Sequence, residues 1–132
     1  MQKAMTNNCI FCNLPNERIL YESVHWLVIS DGYPVSPGHT LLIPKRHIKD
    51  YFDINDSEYA ELKTVLNLTK ARLDKEFNPS GYNIGINCGE DAGQTVFHLH
   101  IHVIPRFKGD QADPRGGVRW VIPEKADYWT KQ

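Results

Sequence analysis

Three histidines stand at alternate positions in "VFHLHIHVIPR", residues 96–106, with only aliphatic residues between and after them. Near neutral pH an imidazole presents either a lone pair or an N–H, so a row of them can attack an electrophile, hold anions or ligate a metal ion. On a β-strand His98, His100 and His102 would share one face at intervals of about 6.6 Å, with Leu99, Ile101 and Val103 on the other. Histidine is not a favoured filler of wet strand positions, so three at period two point to chemistry. Two chemistries fit the spacing. Alternate histidines can share zinc, copper, iron or nickel, as in a metalloenzyme. Alternatively, one imidazole attacks phosphorus while its neighbours bind phosphate oxygens and assist the leaving group. The residues just before the row suit phosphate. Gln94, Thr95 and the amides around Gly89 and Gly93 are hydrogen-bond donors, Asn87 enters the same loop, and no carboxylate is interleaved with the histidines.

Strands and one helix must position that row. "RILYES", "VHWLVISD" and "TLLIP" read as strands of a meander, interrupted by the turn-rich "GYPVSPGH". From Asn55 the period changes, and Tyr59, Leu62, Val65, Leu66, Thr69, Leu73 and Phe77 form one apolar helical stripe. Asn55 with Glu58 fits a capping box, and "NPSG" ends the helix. In "GYNIGIN", Tyr82, Ile84 and Ile86 alternate with polar or small residues. Paired antiparallel with 98–104, this strand would turn its apolar side to the helix and leave Asn87 and the histidines on the opposite face.

A chain of 132 residues with 41% hydrophobic content suits one domain. We expect that domain to span residues 1–132, with a core of about 9–107 and a basic Gly/Pro-containing extension of about 108–132. Lys and Arg total 15 against 16 Asp and Glu, which argues against a broad basic surface for nucleic acid. No stretch is long and apolar enough to span a membrane, and "MQKAMTNNCIFCNLP" lacks the apolar centre of a secretory signal, so the expected location is the cytoplasm. Three cysteines make an odd count for disulfides. Cys9-x-x-Cys12 is half of a zinc site or a pair of reduced thiols, and Cys88 reads as a free thiol.

"HLHIHVI" resembles the signature of the histidine triad (HIT) family of nucleotide hydrolases and transferases. "CIFC", "SPGHTLLIPKRH" and "GEDAGQTVFHLHIHVIPR" are similar to further landmarks of that family, in its order, over most of residues 9–107. The resemblance implies an α+β fold, an antiparallel sheet of about five strands with one long helix packed on it, and a homodimer. It implies that His100 is the nucleophile that forms a nucleotidyl-histidine intermediate, that His102 holds phosphate oxygens near the leaving group, that Gln94 contacts phosphate, and that His39 stands beside the triad. It further implies that Asp31 binds the ribose hydroxyls and that Ile10, Phe11, Leu14 and Ile29 wall the base, while Asn87 and Thr95, as donors beside the row, are expected to contact the nucleotide.

In members that carry both cysteines, the family's zinc is held by two Cys and two His, which correspond here to Cys9, Cys12, His47 and His98. "HVIPR" resembles the fragile-histidine-triad-like branch and the bacterial dinucleoside polyphosphate hydrolases, while residues beyond Phe107 depart from the branches compared. Arg106, Lys108, Arg115 and Arg119 would meet distal phosphates or stay solvated. The implied reaction is cleavage of the α–β phosphoanhydride of dinucleoside polyphosphates, diadenosine species foremost, to release a nucleoside monophosphate, with zinc as the metal, no organic cofactor and adenine as the preferred base. The alternatives are an adenosine phosphoramidase or aminoacyl-adenylate hydrolase using the same intermediate, and a non-catalytic nucleotide-binding signalling module.

Overall fold

The computed structural model describes residues 8–131. Its strands are β1 (Ile19–Glu22), β2 (Trp26–Ser30), β3 (Thr40–Pro44), β4 (Gly81–Gly85) and β5 (Ile101–Arg106), with helices α1 (Asp56–Phe77) and α2 (Pro123–Ala126). The strands form one antiparallel sheet in the order β1-β2-β3-β5-β4. The fold is therefore the α+β arrangement expected, five strands with one long helix. Among the described residues no helix is long and apolar enough to cross a membrane.

Strand alternation divides the sheet into two cores. Trp26, Val28, Leu42, Ile101 and Val103 face α1 and pack with Val65 and Leu73 of the helix. The intervening Ile29, Leu41 and Ile43 face the other way and are covered by Phe11 and Leu14 from the N-terminal segment. β3 is buried at all five positions because both of its faces are covered. The N-terminal segment covers part of the second face, and the histidine row runs from beneath its Cys9–Cys12 turn into β5.

The capping box at α1 is formed as the sequence suggests. Glu58 N–H donates to Asn55 Oδ1 at 2.8 Å, and Asn55 N–H donates to Glu58 Oε1 at 2.9 Å. Glu58 does more than cap. It is buried, and it receives Arg46 through Nε at 3.0 Å and Nη2 at 2.8 Å, so the helix start fastens the segment that carries His47. At the far end Asn78 takes a left-handed conformation (φ 50°), which stops the helix.

Three local expectations need correction. His98 and His100 precede β5, and only His102 lies within it, because the chain bends at 96–98 to pair Leu99 N–H with the Ile48 carbonyl at 2.8 Å. Tyr59 is exposed rather than on the buried stripe, since Glu58 takes the inward position. Ile84 is 48% exposed because β4 is the sheet's edge and α1 packs over β2 and β3 instead.

Candidate functional site

Two histidine clusters lie along the face opposite α1. The first joins the Cys9–Cys12 turn, the chain after β3 and the start of the histidine row. His98 is fully buried, and its Nε2–H donates to the Pro44 carbonyl at 2.8 Å, which leaves Nδ1 with a lone pair. That Nδ1 lies 3.4 Å from Cys9 Sγ, 3.5 Å from Cys12 Sγ and 3.1 Å from His47 Nδ1, and Cys12 Sγ is 3.2 Å from His47 Nδ1. With zinc–sulfur bonds of about 2.3 Å and zinc–nitrogen bonds of about 2.0–2.1 Å, the ligand atoms of a tetrahedral zinc stand about 3.3–3.8 Å apart. The four donor atoms thus approximate such a tetrahedron already, with a main-chain acceptor orienting one ligand from behind.

The second cluster begins two residues later. His100 donates Nδ1–H to the carbonyl of His98 at 2.9 Å, so in the neutral ring Nε2 keeps its lone pair. Its half-buried ring lies against Phe11, with centroids 5.1 Å apart, and 5.3 Å from the ring of His102. His102, held in β5 opposite Leu41 and Gly85, has Nδ1 at 2.9 Å from His39 Nε2. The Asp31 carboxylate stands 3.3 Å from His39 Nε2 and 3.9 Å from His102 Nδ1.

One main-chain group sets the proton positions here. Val35 N–H donates to His39 Nδ1 at 3.1 Å, and an amide N–H can only donate. The proton of neutral His39 therefore sits on Nε2 and is given to His102 Nδ1, so the proton of His102 sits on its own Nε2. Burial pushes the pKa of both histidines down. For His39 this outweighs the raising effect of Asp31, and for His102 the neighbouring His100 and His39 push the same way against Asp31. Asp31, His39 and His102 also approach one another closely enough to hold an ion. A ligand nitrogen must be bare, however, and the inward Nε2 of His39 is not while Val35 holds the other side, so this cluster is arranged for hydrogen bonding rather than for a metal.

The loop between β2 and β3 is built to deliver that amide. Asp31 N–H donates to the His39 carbonyl at 3.0 Å, Tyr33 N–H to Asp31 Oδ1 at 2.8 Å, and the Ser36 hydroxyl to the Pro105 carbonyl at 2.6 Å. Gly38 has φ +86°, and a Cβ there would lie 2.9 Å from Phe77 Cδ2, so the loop can approach α1 only with glycine at this position.

Other expected residues are distributed unevenly. Gln94 is 3% exposed, and both of its amide hydrogens are committed, to the Lys49 carbonyl at 2.7 Å and the Val96 carbonyl at 3.1 Å, while its oxygen accepts Gly89 N–H at 2.8 Å. It braces the 89–96 loop in this arrangement and has no hydrogen left for a phosphate. Asn87 lies two residues beyond Gly85, where the pairing with β5 ends at His102, and its side chain stands beside Gly93 of the loop. Thr95 is exposed on the same loop. Phe11 and Leu14 pack in one cluster with Leu41, whereas Ile10 points to solvent and Ile29 is wholly buried beneath the wall, offering no surface to a base.

Of the four basic residues that would meet distal phosphates or stay solvated, three are engaged within the chain. Arg106 is bidentate on Asp110 and bonds Asn83, Arg115 is bidentate on Asp113 and lies over Trp129, and Arg119 binds the Ala126 and Lys125 carbonyls. They order the C-terminal segment instead, where a 3-10 turn at Gly117–Val121 precedes α2. Sequence reasoning missed Val35, Ser36 and Pro44, which act through main-chain groups or one hydroxyl and carry no signature of their own.

Comparison with known proteins gives these arrangements a context. The family described as the HIT domain matches residues 15–109. The protein called hit of Bacillus subtilis is 40% identical over 109 residues, 78% of this chain and 74% of that one. The asymmetrical bis(5'-nucleosyl)-tetraphosphatase of Schizosaccharomyces pombe is 46% identical over 77 residues, 58% of this chain and 42% of that one. Among solved structures, a zinc-bound histidine triad family protein from Mycobacterium smegmatis superposes with a TM-score of 0.71 at 38% identity, covering 83% of this chain and 81% of that one.

Proposed function

From the premise that the chain belongs to the HIT-domain family, we propose that it is a nucleotide hydrolase that cleaves the α–β phosphoanhydride of dinucleoside polyphosphates, diadenosine polyphosphates foremost, through a nucleotidyl-His100 intermediate. The observation that carries the reading is the bond from His100 Nδ1–H to the His98 carbonyl, which leaves Nε2 as a half-exposed nucleophile. His100 Nε2 attacks the α-phosphorus, and the bond to the bridging oxygen breaks with its electron pair on the departing phosphate. The ring cation that results keeps its Nδ1–H on a carbonyl, a favourable partner for positive charge. Water then adds to phosphorus, the phosphorus–nitrogen electron pair returns to His100, one proton leaves to solvent, and the monophosphate is released.

In this reading His102 Nε2–H supports phosphate oxygens, Asn87 and the exposed Thr95 supply further donors, Asp31 accepts ribose hydroxyls, and Phe11 with Leu14 receives the base. Gln94 acts by holding the loop. Zinc at Cys9, Cys12, His47 and His98 would be structural, and these residues tie the Phe11 wall to the segment that carries His100. The name of the yeast relative and the zinc-bound mycobacterial relative support the two parts of this reading. A homodimer is in keeping with β4 being an edge strand of the sheet.

The test is rapid quenching of the protein with diadenosine polyphosphates followed by mass spectrometry. An adenylyl adduct on His100, lost in His100→Gly, is expected together with at least about a 10⁴-fold fall in turnover for that variant, the scale on which loss of a nucleophile acts. Full turnover by His100→Gly would exclude the mechanism.

A further inference from the structure

Cys9 and Cys12 lie beside His98 and His47, and they also lie beside each other. The turn between them is closed by Cys12 N–H donating to the Cys9 carbonyl at 3.2 Å, and Asn13 Nδ2–H donates to the same carbonyl at 2.7 Å. A hydrogen-bonded turn of four residues keeps its end Cα atoms within about 7 Å, which is the reach of a disulfide. The two sulfurs lie within 4.8 Å of one another, and both thiols are reduced and half-buried, open to a small oxidant. Phe11 sits inside this turn. It is buried against Ile29, Leu41 and Ile43, and its ring stands 6.0 Å from that of His98 and 5.1 Å from that of His100.

We propose that Cys9 and Cys12 are a reversible modification site, oxidised to a disulfide by a low-molecular-weight disulfide such as oxidised glutathione, and that this bond uncouples the Phe11 wall from His100. One cysteine thiolate attacks a sulfur of the oxidant, whose other half departs as a thiolate. The second cysteine thiolate then attacks the mixed disulfide at the protein sulfur and expels the remaining half. The cysteines together lose two electrons and two protons, and the oxidant is reduced to two thiols. The consequence for nucleotide binding rests on the reading of Phe11 as a wall of the base site, whereas the modification itself does not.

Reduced, the two sulfurs link the turn to His98 and His47, which belong to distant parts of the chain. Joined to each other, they close the turn on itself. The turn then keeps its apolar packing but loses its sulfur link to the histidines, and the ring of Phe11 is no longer pinned beside His100. A disulfide sulfur is also no thiolate, so two of the four metal donors disappear in the same step, and oxidation and zinc exclude one another. Coupling between two sites is reciprocal. By whatever factor the disulfide weakens nucleotide binding, bound nucleotide makes the cysteine pair harder to oxidise.

The experiment equilibrates the full-length, zinc-loaded protein in glutathione buffers of graded redox ratio at one fixed free-zinc concentration, with and without adenosine monophosphate. Peptide mass spectrometry identifies the bonded cysteines, a chromophoric chelator counts released zinc, and calorimetry gives the affinity for the monophosphate. The expected result is a Cys9–Cys12 disulfide with about one zinc released for each, and binding at least about fivefold weaker. Saturating monophosphate should raise the oxidant ratio needed at the midpoint by that same factor. The His100 ring signals should shift in the NMR spectrum while those of Trp26, in the core under α1, stay in place. Cys9→Ser with Cys12→Ser should bind as weakly as the oxidised protein and ignore the buffer. A disulfide through Cys88, glutathione adducts that never resolve, or thiols that stay reduced in fully oxidised buffer would overturn the site. A Cys9–Cys12 disulfide with unchanged affinity and unchanged His100 signals overturns the uncoupling, as does loss of the Trp26 signals, which reports unfolding instead. If the reduced protein binds no monophosphate, the base-wall reading fails, and the His100 signals alone decide whether the disulfide frees Phe11.

Discussion

His98 and His102 stand four residues apart in one run, and each turns Nδ1 toward a second histidine, at 3.1 Å for His47 and 2.9 Å for His39. The clusters nevertheless have opposite chemistry. In the first, the Pro44 carbonyl draws the hydrogen of His98 away from the cluster, and the inward nitrogen is bare beside two thiols. In the second, the Val35 amide fills the outward nitrogen of His39 and drives its hydrogen inward. A main-chain acceptor behind His98 leaves a bare nitrogen facing two thiols, whereas a main-chain donor behind His39 leaves an N–H facing His102. The difference lies in the backbone contact behind each ring and in the thiols or carboxylate beside it, not in the histidines themselves.

The largest expected effect comes from breaking the first cluster alone. The protein as isolated should hold about one zinc, and Cys9→Ser with Cys12→Ser should hold none. If the metal is present at a hundred- to a thousand-fold over its dissociation constant, its loss removes about 3–4 kcal/mol of stability. Urea unfolding of the loaded protein, the chelated protein and the double variant measures this. Equal stability in all three would reduce the cluster to a set of packed thiols and imidazoles, and the contrast with the second cluster would disappear.

Those two cysteines also mark how far the sequence could be read. Cys9, Cys12, His47 and His98 were named from a resemblance and converge within ligand distance, and α1 with its capping box followed from a local period and two residues three apart. Such features are legible because side-chain identity decides them. Gln94 was not, because its type suits a phosphate as well as it suits three main-chain groups of its own loop. Arg106, Arg115 and Arg119 carry the charge a polyphosphate would want, yet Asp110, Asp113 and the tail carbonyls reach them first. Tyr59 and Ile84 continue apolar patterns past the area the sheet and helix actually share. The Val35 and Pro44 contacts are the least legible of all, since almost every residue carries the same N–H and C=O and only the folded chain aims them.

A smaller effect sharpens the comparison through pH. Burial holds His39 and His102 neutral, with pKa values below the ordinary 6.5, so below that pH the unfolded chain binds protons that the folded chain refuses. Stability from these two rings is then complete above about pH 6.5 and declines as the pH falls toward their folded values. The limiting slope is about 1.4 kcal/mol per pH unit for each ring. His39→Gln removes one of them, so between pH 6.5 and 5.5 its unfolding free energy should fall less steeply than that of the wild type by up to that amount. Comparing both chains in the Cys9→Ser, Cys12→Ser background keeps acid release of metal out of the measurement. Parallel curves would mean that His39 accepts a proton in the folded state and that the Val35 contact does not exclude it.

The smallest effect tests what aims the Val35 amide. Ser36 fastens the β2–β3 loop to the end of β5 through its 2.6 Å bond to the Pro105 carbonyl, one residue from the amide that fills His39 Nδ1. Ser36→Ala removes one hydrogen bond of a partly buried pair, worth about 1 kcal/mol of stability. If the fastening also fixes the amide, the variant should let the hydrogen of His39 redistribute between its two nitrogens. Nitrogen-15 signals of the imidazole then move from one protonated and one bare nitrogen toward an average, and His102 loses part of its orientation, with kcat falling more than KM changes. A loop held by glycine geometry and by the Asp31–His39 main-chain bond would instead lose the stability and leave the ring signals where they were. That outcome would confine the tautomer control to Val35 itself. Either way the ring nitrogens, and not the melting temperature, report whether the second cluster owes its character to this hydroxyl, because a merely structural serine changes the latter and leaves the former alone.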